Sequence, residues 1–237
     1  MRWLRTLPGI VFSIILAALV TWATTAALTR IDQKVEVARP VIVSVVTNPA
    51  LVGAYAEDGI SVVFPPGRAP IGKPGRGCRD FHDWALTNGS YDAGESKLQV
   101  VVQGNARYDV YLANLRAVVV GKAAPMSGIQ AQCPYGSPVS PRRLAIDLDR
   151  PNPVAEYQSE EGGPFAFSIK QGETETFLVR ASTETASYEW VMDLDVVVNG
   201  ESTTVRIDDQ GKPFRTSVVE EVSEKWLWDW ESEWVLG

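Results

Sequence analysis

The sequence predicts an all-β fold, an antiparallel immunoglobulin-like β-sandwich that follows one transmembrane helix. Three observations support this prediction. About eight or nine runs rich in Val, Ile, Thr and aromatic residues are separated by turn signals. Helical periodicity is scarce, and no strand–helix–strand spacing typical of a parallel sheet occurs. A long uncharged segment lies near the start of the chain. Because the cysteines do not follow the antibody pattern, we predict the architecture without the strand topology.

The transmembrane helix is predicted over residues 6–29, which carry no charged side chain between Arg5 and Arg30. At a rise of about 1.5 Å per residue this helix is about 36 Å long, more than the roughly 30 Å of bilayer hydrocarbon. A cleaved secretory signal has a shorter apolar stretch of roughly 7–15 residues, although residues 25–27 would permit cleavage. The segment therefore predicts a retained anchor, with the lipid bilayer as its partner.

The anchor divides the chain into four predicted parts. These are a cytoplasmic head (1–5), the transmembrane helix (6–29), an extracytoplasmic β-sandwich (35–217) and an acidic, tryptophan-rich tail (218–237). Basic residues on the two sides of the anchor are nearly balanced, so the positive-inside rule decides little. We expect a single-pass plasma-membrane protein with its C-terminal domain outside. The reversed topology, with a cytoplasmic regulatory domain, is the alternative.

Acidic residues outnumber basic ones, with 29 Asp and Glu against 22 Lys and Arg and a formal net charge of −7. Nucleic-acid binding depends on clustered Lys and Arg, so no nucleic-acid partner is expected.

The two cysteines, Cys78 and Cys133, can pair in only one way. In an oxidising compartment they predict a disulfide, whereas in the cytoplasm they would be two unrelated buried thiols. Two distant cysteines and a single histidine do not make a metal ligand set, so no metal site is expected.

Strands are predicted, in order, where β-branched and apolar residues alternate with polar ones. The predicted strands are 35–46, 60–64, 97–103, 108–120, 143–148, 165–169 and 174–181. An irregularity is expected near Ala113 in the fourth of them. Prolines and glycines in 65–77 predict an exposed loop, which carries Arg68, Lys73 and Arg76. Residues 78–88 follow as one or two helical turns.

A hairpin is predicted at Asn199-Gly200, because both residues readily adopt the positive φ angles of a type I′ turn. In that register, positions whose numbers add to 399 face each other. Leu194 opposes Val205 on an apolar face, and Asp193 opposes Arg206 on a polar face. A slip of one residue would place aspartates in the core, so the register is well specified.

The tail contains four tryptophans in its last twelve residues: Trp226, Trp228, Trp230 and Trp234. Three of them share a stripe at helical spacing, and Ser217 with Glu220 fits a capping box. The sequence therefore predicts a short C-terminal helix starting near Val218. The tryptophans are candidate partner-binding or self-association residues. Docking of the tail on the chain's own sandwich is the favoured interpretation, disorder is a further alternative, and the basic loop is a candidate contact for the acidic tail.

His82, which lies between Asp80 and Asp83, is the residue that most invites a catalytic interpretation. A nucleophile with a recognisable context is missing from the sequence, which has no Gly-x-Ser-x-Gly motif and no cysteine in a reactive setting. We therefore predict no catalytic residues, no enzyme activity and no cofactor.

The chain contains the stretches DAGESKLQVVVQGNARYDVYLANLRAVVV and, further on, QGETETFLVRASTETASYEWVMDLDVVVNGESTTVRIDDQGKPFRTS. These stretches resemble a group of uncharacterised membrane-anchored proteins of actinomycete-type bacteria. The resemblance covers residues 92–217, most specifically 187–217. It implies a single N-terminal membrane helix before an exported β domain, and no activity. Members commonly carry cysteines near the position of Ala186 and Ser187, which this chain lacks, so no second disulfide is implied.

The sequence as a whole predicts a binding or scaffolding module at the cell surface. An envelope-modifying hydrolase on the same sandwich is the alternative from another class. The ligand is not specified by any motif.

Overall fold

The computed structural model describes residues 39–52, 59–134, 142–159, 165–229 and 233–236. In these residues fifteen strands form two sheets, and there is one short helix. The predicted head (1–5) and transmembrane helix (6–29) lie outside these residues. Within the described ranges, no helix has the length and hydrophobicity needed to cross a bilayer.

Fifteen strands and one helix follow one another along the described residues. They are β1 (Val41–Val46), β2 (Ile60–Val63), α1 (Phe81–Thr87), β3 (Tyr91–Ala93), β4 (Glu95–Gly104), β5 (Val110–Ala123), β6 (Ile129–Cys133), β7 (Arg142–Asp147), β8 (Glu156–Gln158), β9 (Phe167–Ile169), β10 (Thr174–Ser182), β11 (Ser187–Val198), β12 (Glu201–Ile207), β13 (Phe214–Ser217), β14 (Glu224–Trp228) and β15 (Trp234–Leu236).

The two sheets give the chain a mostly β, sandwich-like architecture. One sheet has five strands in the order β1-β4-β10-β7-β8. The other has ten strands in the order β15-β14-β6-β2-β3-β13-β11-β5-β9, with β12 paired to β11. We predicted antiparallel sheets, but both sheets are mixed. Three strand pairs are parallel: β7 with β10, β13 with β3, and β14 with β6. Each of these pairs joins strands that are distant in sequence, so local turn signals could not reveal it.

The predicted strands match the observed ones closely where alternation is strong. The first strand begins at Val41, after Pro40, and the part of the prediction at 35–38 lies outside the described residues. The irregularity predicted near Ala113 is confirmed, since the register between β5 and β11 shifts there between Asn114 and Leu112. Strands β3, β6, β8, β13, β14 and β15 were not predicted from the sequence.

The hairpin at Asn199-Gly200 has the predicted register, with Leu194 opposite Val205 and Asp193 opposite Arg206. Both turn residues have positive φ angles, 50° at Asn199 and 80° at Gly200, as a type I′ turn requires.

We expect Val205→Asp to lower the free energy of unfolding by about 2–3 kcal/mol, because it places a carboxylate against the main core. Ser202→Asp, on the same strand but exposed, should change it by less than about 0.5 kcal/mol. Urea titrations of the full-length chain in detergent micelles measure both. Equal losses would contradict the pairing of these faces.

The main core lies between the two sheets and is centred on Trp190, which is fully buried. The ring of Phe214 packs 4.9 Å from it, measured between ring centroids. Aromatic rings from β9 and β10 fill one side, since Phe167 lies 5.0 Å from Phe177. A second, separate core contains both cysteines and four tryptophans that are wholly or partly buried.

Asp149 connects the segment after β7 to the turn between β10 and β11. Its carboxylate accepts hydrogen bonds from the Glu184 N–H at 2.7 Å and from three hydroxyl groups, those of Thr185 at 2.5 Å, Tyr188 at 2.9 Å and Thr183 at 3.0 Å. Burial acts to raise the pKa of Asp149, but these hydrogen bonds outweigh it and hold the pKa below its ordinary value.

We expect Asp149→Asn to lower the free energy of unfolding by about 1–3 kcal/mol at neutral pH. Because the folded-state pKa is below the unfolded one, the ionised carboxylate stabilises the fold above roughly pH 4, and this stabilisation is lost as the pH falls through the folded pKa. The urea midpoints of the wild type and Asp149→Asn should therefore converge in acid. A difference that persists unchanged in acid would contradict this role.

Candidate functional site

Six aromatic side chains pack together beside the two cysteines and are here called the aromatic cluster. They are Phe64, Phe81, Trp84, Trp226, Trp228 and Trp234. Trp234 is central, because its ring lies 4.8 Å from Trp228, 5.2 Å from Trp226 and 5.5 Å from Trp84, measured between ring centroids. The cluster therefore joins the tail to the region around α1.

The predicted C-terminal helix is wrong, because the tail forms the strands β14 and β15. β14 pairs in parallel with β6, and β15 pairs with β14 so that Trp228 faces Trp234. Trp226 and Trp228 are two residues apart, the spacing that places side chains on one face of a strand. Ser217 is not a helix cap, since it ends β13 and its hydroxyl lies 2.6 Å from that of Ser187.

The tail tryptophans dock on their own domain. Trp228 is 1% exposed, and its indole N–H donates to the Gly77 carbonyl at 3.1 Å. Trp226 and Trp234 are half-buried in the same cluster, so part of each remains accessible. Trp230 lies outside the described residues. Trp228 is thus an internal anchor, and of the three tail tryptophans that the structure describes, Trp226 and Trp234 present surface to a partner.

Cys78 and Cys133 form the predicted disulfide, with their Cα atoms 5.6 Å apart. Cys133 ends β6 opposite Ile60 of β2, and Cys78 ends the proline- and glycine-rich loop. The disulfide therefore joins that loop to the sheet on which the tail pairs.

The basic loop, residues 65–77, is exposed as predicted and is held against the aromatic cluster. Asn88 accepts the Ile71 N–H at 2.7 Å, and both Trp84 (3.1 Å) and Asn88 (3.3 Å) donate to the Ile71 carbonyl. The Ile71 side chain is nevertheless 84% exposed. Because these hydrogen bonds hold the backbone at Ile71, its exposed side chain extends from an ordered part of the loop.

Arg68, Lys73 and Arg76 on the basic loop form no ion pair with any described residue. The same holds for the exposed carboxylates of Glu220 and Glu221, which precede β14. Charges of both signs thus lie unpaired around the aromatic cluster.

The sequence position of His82 suggested Asp80 or Asp83 as its partner, but the structure shows a different one. Its Nε2 lies 2.9 Å from Oδ1 of Asp92, a residue of β3 that sequence analysis missed. The Ser96 hydroxyl donates to the other oxygen of Asp92 at 2.5 Å and lies 2.7 Å from the Thr216 hydroxyl. This buried chain of polar groups connects α1 with both sheets.

The order of these hydrogen-bonded groups differs from that of a hydrolytic triad, in which a histidine lies between the nucleophile and the carboxylate. Here the carboxylate of Asp92 stands between Ser96 and His82, so the histidine cannot take a proton from the serine. Ser96 is also fully buried. These buried hydrogen bonds can position α1 against the sheets.

A cavity of about 670 Å³ lies beside these buried polar groups and is lined partly by His82, Asp92 and Arg215. Glu189, on the same cavity wall, accepts the Tyr91 hydroxyl at 3.2 Å. Burial, together with the charge of Glu189, raises the pKa of Tyr91 above its ordinary value. Across the described ranges, no group of three His, Cys, Asp or Glu side chains is placed to hold a metal ion.

The aromatic cluster and basic loop lie at the end of the sandwich opposite the start of β1. The Pro40 carbonyl accepts the N–H groups of Asn105 and Ala106 at one end of β1. The six residues of β1 then run about 20 Å to the other end, where the Asn48 side chain donates to the Arg79 carbonyl at 2.8 Å.

No protein-family model matches this chain, and no curated protein is similar to it in sequence.

Proposed function

We propose that this chain is a single-pass, membrane-anchored binding or scaffolding module, with its immunoglobulin-like β-sandwich on the extracytoplasmic side of the plasma membrane. The observation that carries the proposal is the disulfide between the buried residues Cys78 and Cys133. Structural disulfides persist in oxidising compartments and are rare in the cytosol. Together with the uncharged segment at 6–29, the disulfide favours an exported domain held at a membrane.

The position of the exposed features supports a binding role. The segment 6–29 precedes β1, so an anchored domain would have the start of β1 on the membrane side. The aromatic cluster and basic loop lie at the other end, about 20 Å away along β1. They would therefore face away from the membrane, where a partner can reach them.

A binding module fits the site better than an envelope hydrolase. Hydrolysis by a histidine-activated nucleophile would need that nucleophile in contact with His82, and His82 contacts a carboxylate instead. The half-buried Trp226 and Trp234 beside an exposed Ile71 are typical of an interaction surface, because aromatic and apolar side chains that are partly exposed gain most from burial by a partner.

The experiment that tests this proposal places a reporter cysteine in intact cells. Ser202→Cys, in an exposed position of β12, is treated with a membrane-impermeant maleimide before and after lysis. The two native cysteines are alkylated in denatured extract, with and without reductant. We expect labelling at 202 in intact cells, and alkylation of Cys78 and Cys133 only after reduction.

Two other results would overturn the proposal. If position 202 is labelled only after lysis and the native thiols are free, the domain is cytoplasmic and the regulatory alternative replaces the proposal. If the protein is recovered entirely in the soluble fraction, the anchor does not exist. Maleimide labelling of a known cytoplasmic protein in the same cells controls for leakage.

A further inference from the structure

The basic loop and the acidic residues before β14 lie side by side at one end of the molecule. Ser223 donates its N–H to the Gly128 carbonyl at 3.2 Å, and Gly128 packs directly against the Phe64 carbonyl, where the loop begins. At the other end of β14, the indole of Trp228 donates to Gly77, where the loop ends. Both ends of the loop therefore lie next to the tail.

We infer that this end of the molecule is a self-association surface, on which the basic loop of one copy binds the acidic residues Glu220, Glu221 and Glu233 of a second copy, and the reverse. A two-fold symmetric contact uses the same surface on both partners. A surface that carries both charge signs side by side is complementary to itself under such symmetry. The described carboxylates of Glu220, Glu221 and Glu233 are exposed, as are the three loop cations.

The unpaired charges favour a second copy over an internal contact. Arg68, Lys73 and Arg76 form no ion pair with any described residue, although acidic residues lie nearby in the same copy. By contrast, Arg116 pairs with Asp193 at 3.2 Å and Arg142 pairs with Glu175 at 2.9 Å. The loop cations are therefore available to a second molecule.

Ile71 supplies the apolar part of the same surface. Its backbone is fixed by Asn88 and Trp84 while its side chain is 84% exposed. Because the backbone at Ile71 is already ordered, association costs less conformational freedom there, and burial of its side chain contributes to affinity.

This inference does not depend on the membrane proposal, because it uses only the described domain. Its test nevertheless uses the full-length chain. Two copies with different tags are co-expressed, extracted in a non-ionic detergent at low salt, and captured by one tag; the amount of the other tag is measured.

Charge reversal gives a decisive comparison. The loop variant carries Arg68→Glu, Lys73→Glu and Arg76→Glu, and the tail variant carries Glu220→Lys, Glu221→Lys and Glu233→Lys. We expect capture to fall at least about tenfold when either variant is paired with itself, because both halves of the contact become repulsive. When the two variants are paired with each other, both halves are attractive again and capture should recover to within about twofold of wild type.

A matched pair of single variants tests the apolar contribution. Ile71→Ser should reduce capture by about fivefold, whereas Ile42→Ser, at an exposed position of β1, should leave it unchanged. High salt should also weaken capture of the wild type.

The inference is overturned if wild-type copies do not capture each other, which would leave an acidic protein of another kind as the partner of the loop. It is equally overturned if the variants still capture themselves, which would assign association to the N-terminal segment. Failure of the mixed pair to recover would also overturn it, and recovery shows that both variants are folded.

Discussion

Trp228→Ala is expected to lower the free energy of unfolding of the tail and second core by about 3–5 kcal/mol, the usual cost of removing a large buried aromatic side chain. Trp228 is 1% exposed, lies 4.8 Å from the ring of Trp234, and donates its N–H to Gly77. Its loss removes the contact that holds β14 and β15 against the basic loop. The main core around Trp190 belongs to a separate cluster and should remain folded.

Limited proteolysis of the full-length chain measures this effect locally. In Trp228→Ala, the C-terminal strands and basic loop should be cleaved much faster than in wild type, while fragments from the main sandwich persist. Trp226→Ala is the matched control on the same strand, because Trp226 is half-buried and its N–H is bonded to the exposed Glu224. If the two variants are cleaved alike, Trp228 is not the anchor of the tail.

The tail shows why sequence spacing alone could not assign this part of the fold. Trp226, Trp230 and Trp234 have helical spacing, whereas Trp226 and Trp228 have strand spacing, and both patterns are present. The tail forms a strand rather than a helix because the edge of β6 pairs with β14. β6 lies in a stretch rich in Pro, Gly and Ser, from which no strand was predicted, so the partner that decides the tail was itself not visible.

The hairpin at Asn199-Gly200 was predictable for the opposite reason. Its turn residues, its apolar face and its charged face all specify one register within twenty residues of chain. The contact between His82 and Asp92 depends instead on the packing of α1 on β3, a three-residue strand held by a parallel pairing with β13. Elements this short carry no periodicity, so a polar group placed by them cannot be found from spacing.

The exposed Ile71 illustrates the same limit at the candidate site. Composition predicted the basic loop, but the three hydrogen bonds that fix Ile71 involve Trp84, in the middle of α1, and Asn88, its C-cap. Only the folded arrangement distinguishes a fixed, outward-facing isoleucine from an ordinary loop residue.

Replacing both cysteines, as Cys78→Ala with Cys133→Ala, is expected to lower the free energy of unfolding by about 4 kcal/mol in the chain-entropy account of cross-links. The disulfide joins positions 55 residues apart, and the enclosed loop contains α1 together with β3, β4, β5 and β6. Without it, the unfolded chain regains the freedom of that loop. This loss is comparable to the whole stability margin of many domains, so the variant should be close to unfolding at physiological temperature.

Reductant separates the contribution of the cross-link from that of the side chains. Urea titrations of the full-length wild type in detergent should shift to lower urea when a strong reductant is present, and the double alanine variant should not respond to it. The two chains should then have similar midpoints under reducing conditions, apart from the small volume lost at Cys133, which is fully buried. A wild type whose midpoint is unchanged by complete reduction would show that the second core is stabilised by the aromatic cluster alone.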